Sequence, residues 1–148
     1  MAKKDKVNAG FTDEEKLAMA ERAKELASIR KKVSKPNLED SEKEVLLKFS
    51  EMGEPDRTIA TNLHALIKEI DARLTPRTWY GMPAYEKNGS VLLFFQERRK
   101  FKTRYATVGF SGKANLDNGT IWPNAFAVVE WNYEVCKRLK ELITIAIS

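Results

Sequence analysis

Residues 84–96 read Ala84-Tyr85-Glu86-Lys87-Asn88-Gly89-Ser90-Val91-Leu92-Leu93-Phe94-Phe95-Gln96. Asn-Gly is the preferred pair for a two-residue hairpin turn, because both central residues of that turn need positive φ. The spacing predicts one strand from Ala84 to Lys87 and its return from Ser90 to Gln96. Residues 91–95 are apolar at every position, which places the returning strand in the middle of a sheet, covered on both faces.

Working outward, Arg104 to Phe110 continues the strand pattern, with the small or apolar residues 106, 108 and 110 on one face. Ser111-Gly112 and Asp117-Asn118-Gly119 are turn sequences, and Thr120 to Trp122 with Ala125 to Val129 supplies a last strand broken by Pro123. On the other side Thr78-Trp79-Tyr80 is a short strand interrupted by Gly81 and Pro83. After the sheet, Asn132 caps a closing helix whose inner face is Val135, Leu139, Leu142, Ile143 and Ala146.

Helices precede the sheet. Pro55 suits a first helical turn, and Ile59, Leu63, Leu66, Ile67, Ile70 and Leu74 follow at helical spacing until Thr75-Pro76 ends the run. Before it, Ser41-Glu42-Lys43-Glu44 has the capping-box form; Val45, Leu46, Phe49 and Met52 make an apolar face, with Gly53 as a left-handed terminator. Thr12-Asp13-Glu14-Glu15 starts a further helix, but Met19, Ala23, Leu26 and Val33 form only a thin stripe. The expected layout is a disordered start over 1–11, an appended helix over 12–33, and one α+β domain over 34–148, linked through Pro36. Helices, meander, helix is an order that favours a curved antiparallel sheet with helices packed on one face.

The chain of 148 residues suits one core, and 43 % hydrophobic residues exclude a disordered chain. The amino terminus is followed by no apolar run of signal-peptide length, and no stretch could span a membrane, so the expected location is the cytoplasm with no membrane partner. Cys136 is the single cysteine, which excludes an internal disulfide and a multi-cysteine zinc site. Basic and acidic side chains number nine and six in residues 1–32, six and nine in 33–76, and eleven and six in 77–148. The acidic middle and basic last half can steer an anionic partner toward one face.

Trp79-Tyr80-Gly81-Met82-Pro83-Ala84-Tyr85, the hairpin, the Phe94-Phe95 strand and Gly119-Thr120-Ile121 before a terminal helix together resemble the YdhG-like family, over roughly residues 40–147. The family was long catalogued as a domain of unknown function. The resemblance implies a compact α+β fold, and one branch of the family is described as frataxin-like intracellular iron chaperones. Members often carry a histidine in the strand after the Phe-Phe strand, where this chain has Phe101-Lys102-Thr103-Arg104-Tyr105-Ala106-Thr107.

The densest charge feature is Arg98-Arg99-Lys100-Phe101-Lys102-Thr103-Arg104-Tyr105. Arginine and lysine there can hold phosphates while an aromatic ring such as Tyr105 stacks on a base, with Trp79 and Trp122 lining a neighbouring surface. The first expectation is therefore a non-enzymatic module that recognises an anionic ligand, a nucleic acid or a phosphorylated metabolite, through a basic aromatic hairpin. The alternatives are iron delivery, with Asp40 and Glu44 in the acidic helix starts as oxygen ligands, and protein docking through residues 12–33. No acid, base and nucleophile can be named together, so no enzyme and no cofactor is expected. His64 and Cys136 read as core residues, without a second ligand or a partner base in the sequence around them.

Overall fold

The computed structural model describes residues 12–31 and 38–148; residues 1–11 and the linker around Pro36 lie outside them. Among the described residues are five helices: α1 Asp13–Lys31, α2 Leu38–Glu51, α3 Asp56–Ile70, α4 Arg98–Phe101 and α5 Tyr133–Ile147. The strands are β1 Thr75–Trp79, β2 Met82–Lys87, β3 Ser90–Gln96, β4 Ala106–Phe110 and β5 Ala125–Val128. They form one open antiparallel sheet in the order β1-β2-β3-β4-β5. The fold is α+β with a helical amino-terminal region, and no helix among the described residues is long and apolar enough to cross a membrane.

Two adjacent turns fix the first three strands. Asn88 and Gly89 both have positive φ, 53° and 81°, as the sequence predicts for that hairpin. Tyr80 and Gly81 have nearly the same values, 51° and 76°, and Trp79 pairs with Met82, so a second two-residue turn stands where the sequence suggested an interrupted strand. β1 consequently starts earlier than expected, at Thr75, and includes Pro76, whose missing N–H is tolerated on an edge strand. Gly81 has a second requirement: a Cβ there would collide with the Glu21 carboxylate and the Lys100 ammonium.

Alternation then assigns the faces. Tyr85, Leu93, Phe95, Val108, Phe110 and Val128 point into a core completed by Val45, Phe49 and Met52 of α2, by Ile59, Leu63 and Ile67 of α3, and by Leu139 and Ile143 of α5. The opposite face carries Arg77 and Trp79 on β1, Glu86 on β2, Phe94 on β3 and Gly109 on β4. Phe94 covers Gly109, where any Cβ would strike the ring. Between Thr12 and Leu26, α1 adds no residue to the main core; its buried apolar residue there is Ala18, while Leu17, Met19 and Leu26 are exposed.

Five local expectations change. α2 begins at Leu38, so Ser41 lies inside its first turn and not at its cap, and α3 ends at Ile70, short of Leu74. Gly53 does not adopt positive φ; it makes room for the Arg99 guanidinium, which a Cβ would approach to 2.7 Å. The connection expected as a basic hairpin holds the helical turn α4, closed by Lys102 in the left-handed region with φ 53°. Residues 120–122 form no strand: the chain stays exposed through Pro123 and pairs with β4 only from Asn124 onward, where the Phe110 N–H donates to the Asn124 carbonyl at 2.8 Å.

Candidate functional site

A groove of about 600 Å³ lies on the sheet face opposite the main core. β1 brings Arg77 and Trp79 to it, two residues apart and therefore on one face. β2 adds Glu86, the start of β3 adds Ser90 and Val91, the turn after β4 adds Ser111, Gly112 and Lys113, and α1 reaches over with Arg22. The lining thus holds three cations and one carboxylate.

That carboxylate is already engaged. The Arg77 guanidinium donates from Nη1 to Glu86 Oε1, and its Nε finds no hydrogen-bond partner among the described residues. Trp79 is held by an edge contact with Tyr80, ring centroids 5.0 Å apart, and a tilted contact with Phe94 at 5.4 Å. Arg22 sits over the other aromatic of the turn, its guanidinium carbon 5.5 Å from the Tyr80 centroid. The far wall is pinned to β3: the Ser111 N–H donates to the Leu92 carbonyl at 2.9 Å, the Ser111 hydroxyl donates to the Val91 carbonyl, and the Lys113 N–H donates to Ser111 Oγ. An open groove with one wall pinned to β3, an aromatic side and the Lys113 cation, with Arg77 paired to Glu86 and Arg22 3.5 Å from Glu25, suits an anion attached to a flat ring.

Of the residues singled out from the sequence, Trp79 is in this groove and the basic segment is elsewhere, facing carboxylates of its own chain. The buried Asp56 accepts the Arg98 N–H at 2.7 Å, and Arg98 Nε lies 3.5 Å from its other oxygen. Lys100 donates to both oxygens of Glu21, at 2.5 and 2.6 Å, and Lys102 pairs with Glu14 at 2.5 Å. Burial raises the pKa of Glu21, but Lys100 and Lys48 outweigh it and leave the carboxyl below its ordinary value. Glu97 moves the other way, raised chiefly by burial. Arg104 lies over the Tyr105 ring at 5.6 Å, and Arg99 is exposed beside Gly53. Trp122 is exposed on the connection before β5.

The acidic helix starts do not converge. Asp40 and Glu44 are half-buried on α2, and no group of three metal-ligating side chains occurs among the described residues. His64 is buried with both ring nitrogens occupied: Nδ1 lies 2.8 Å from the Tyr85 hydroxyl and Nε2 lies 2.9 Å from Glu42 Oε1. Glu42 also pairs with Lys68. Cys136 is half-buried against the core. Among the residues the sequence did not mark, Arg77, Glu86 and Lys113 define the groove. Only their β1–β2 alternation and the Ser111-Gly112 turn signal hinted at it.

No family model, no curated protein and no solved structure matches the chain, so the YdhG-like resemblance rests on the quoted residues alone.

Proposed function

We propose that the protein is a binding module that holds a small anionic, ring-bearing metabolite, such as a nucleoside phosphate, in the groove beside Trp79. The observation that carries this reading is the lining itself: Lys113 with Arg77 and Arg22, the last two also facing Glu86 and Glu25, next to the Trp79 indole. The volume of about 600 Å³ falls within the ~300–1,000 Å³ usual for small-molecule sites. Ser111 and Lys113 would meet the phosphate from one side and Arg77 from the other, while the indole covers the ring. A nucleic acid lying along residues 98–105 has less support, because Arg98, Lys100 and Lys102 all face carboxylates of their own chain, Asp56, Glu21 and Glu14, and do not line the groove, whereas Lys113 does.

The test is calorimetric titration with ADP, with pyrophosphate and adenosine as separate probes, on the wild type and on Arg77→Gln and Lys113→Ala. Each lost charge-assisted contact should weaken ADP binding about tenfold or more, equivalent to about 1.4 kcal/mol, and each half-probe should bind more weakly than ADP. Absence of binding at about 1 mM, or wild-type affinity in both variants, rejects the reading, since 1 mM corresponds to only ~4 kcal/mol.

A further inference from the structure

The two edges of the sheet are unlike. β1 has α2 packed against it, whereas β5 has β4 on one side and no strand pairing with its other side among the described residues. The hydrogen-bond phase along β5 follows from one bond. The Phe110 N–H donates to the Asn124 carbonyl, and partner positions in the β4–β5 pair run Gly109 with Ala125, Val108 with Phe126, and Thr107 with Ala127. Bonded and non-bonded pairs alternate in an antiparallel ladder. Asn124, Phe126 and Val128 therefore turn their backbone groups to β4, and Ala125, Ala127 and Val129 turn theirs outward.

This open edge is only four residues long, but it carries none of the other usual protections in its sequence. Ala125-Phe126-Ala127-Val128 contains no charge and no proline, the features that keep edge strands from pairing. Apolar side chains are exposed at both of its ends: Ile121 and Trp122 before it, at 86 % and 37 %, and Val129 and Tyr133 after it, at 64 % and 83 %.

We propose that this edge is a self-association site, in which β5 pairs antiparallel with β5 of a second copy to give a continuous ten-stranded sheet. The ends select a second copy over an unrelated strand. Two-fold pairing centred on Ala127 sets Ala125 opposite Val129 and brings the Ile121–Trp122 end of one copy onto the Val129–Tyr133 end of the other. Those four side chains leave on the order of 600 Å² in solvent, taking 150–250 Å² for a whole aromatic side chain. Covered completely in both copies, they would give about 1,200 Å², the lower bound for stable interfaces, which fits a weak, concentration-dependent dimer. Glu130, the nearest charge, is opposite Asn124 in this register and meets no like charge.

Sedimentation velocity on the full chain, from about 5 to 500 μM, with hydrogen exchange at the same concentrations, tests this. The expected result is a monomer–dimer equilibrium in which protection of the Ala125 and Ala127 amides rises with concentration. Val129→Lys places a charge in the pairing row, and Ala127→Pro removes an outward donor that β4 does not use; each should raise the dimer dissociation constant at least tenfold. Circular dichroism confirms that each variant is folded, and Val129→Lys, at an exposed position, keeps the test valid if the proline variant is not. A monomer throughout the range overturns the proposal, as does a dimer of unchanged affinity in Val129→Lys. Concentration-independent protection of Ala127, lost on deleting residues 1–11, would show that the chain's own start covers the edge and would overturn it as well.

Discussion

Replacing Tyr85 by Phe removes one oxygen from the centre of the domain and nothing else. The ring is 2 % exposed and packs in the core between the sheet and α3. Its hydroxyl is 2.8 Å from His64 Nδ1, and His64 Nε2 is 2.9 Å from Glu42. An ionised carboxylate can only accept, so Nε2 carries the proton; in the neutral ring Nδ1 is then an acceptor and the phenol donates to it. Burial first, and the charge of Glu42 second, push the Tyr85 pKa up, so the donor stays protonated. Tyr85→Phe forfeits that bond and strands the Nδ1 lone pair in the interior, which should cost about 2 kcal/mol. At about 2–4 °C per kcal/mol for a domain of this size, Tm should fall by about 4–8 °C. Urea unfolding followed by circular dichroism should show a lower midpoint with an unchanged slope. In a His64→Leu background the same substitution should cost almost nothing, because no stranded acceptor remains. A loss below about 0.5 kcal/mol, or an equal loss in both backgrounds, would refute the assigned hydrogen-bond direction and its energetic weight.

Three further outcomes follow from other contacts. Gly109→Val should destabilise the domain by about 1–3 kcal/mol through overpacking, since its side chain must displace the Phe94 ring; a thermal melt matching the wild type would contradict the contact. Glu42 has its pKa lowered, first by Lys68 and then by His64, so it contributes stability above the ordinary glutamate pKa and loses it as pH falls through the depressed value. Glu42→Gln should therefore flatten the acid limb of stability against pH below about pH 5, and an unchanged limb counts against the pairing. Between Thr12 and Leu26, α1 is attached mainly by ion pairs and Ala18, so about 1 M salt, where the screening length is ~3 Å, or Glu21→Gln should speed proteolysis within residues 12–26 while leaving the melt of the remaining domain in place. Equal cleavage rates would mean that α1 is held by something other than charge.

The sheet was legible where turn chemistry is specific. Asn88-Gly89 names its own geometry, and the all-apolar residues 91–95 could only be an interior strand. Tyr80-Gly81 makes the same kind of turn but was not readable, because tyrosine rarely takes positive φ; the turn is stabilised by contacts such as Trp79 on Tyr80 and Glu25 accepting the Gly81 N–H at 3.1 Å. Charge was legible as density and not as pairing. Arg98, Lys100 and Lys102 stand out in the sequence, yet Lys100 finds its carboxylate 79 residues away on α1. The groove was the least visible feature, because α1, β1, β2, β3 and the turn after β4 each supply only one to three residues to it. Periodicity assigns residues to faces of single elements and carries no information on which faces of separate elements meet.

Binding in the groove beside Trp79 is read most directly by an amide and indole chemical-shift titration of the labelled protein with ADP. Ligand binding in the groove should give saturable shifts at Ser90, Ser111, Gly112, Lys113 and the Trp79 indole, weakened by Arg77→Gln. Shifts confined to residues 98–105, or no saturable shift at any residue, would contradict it.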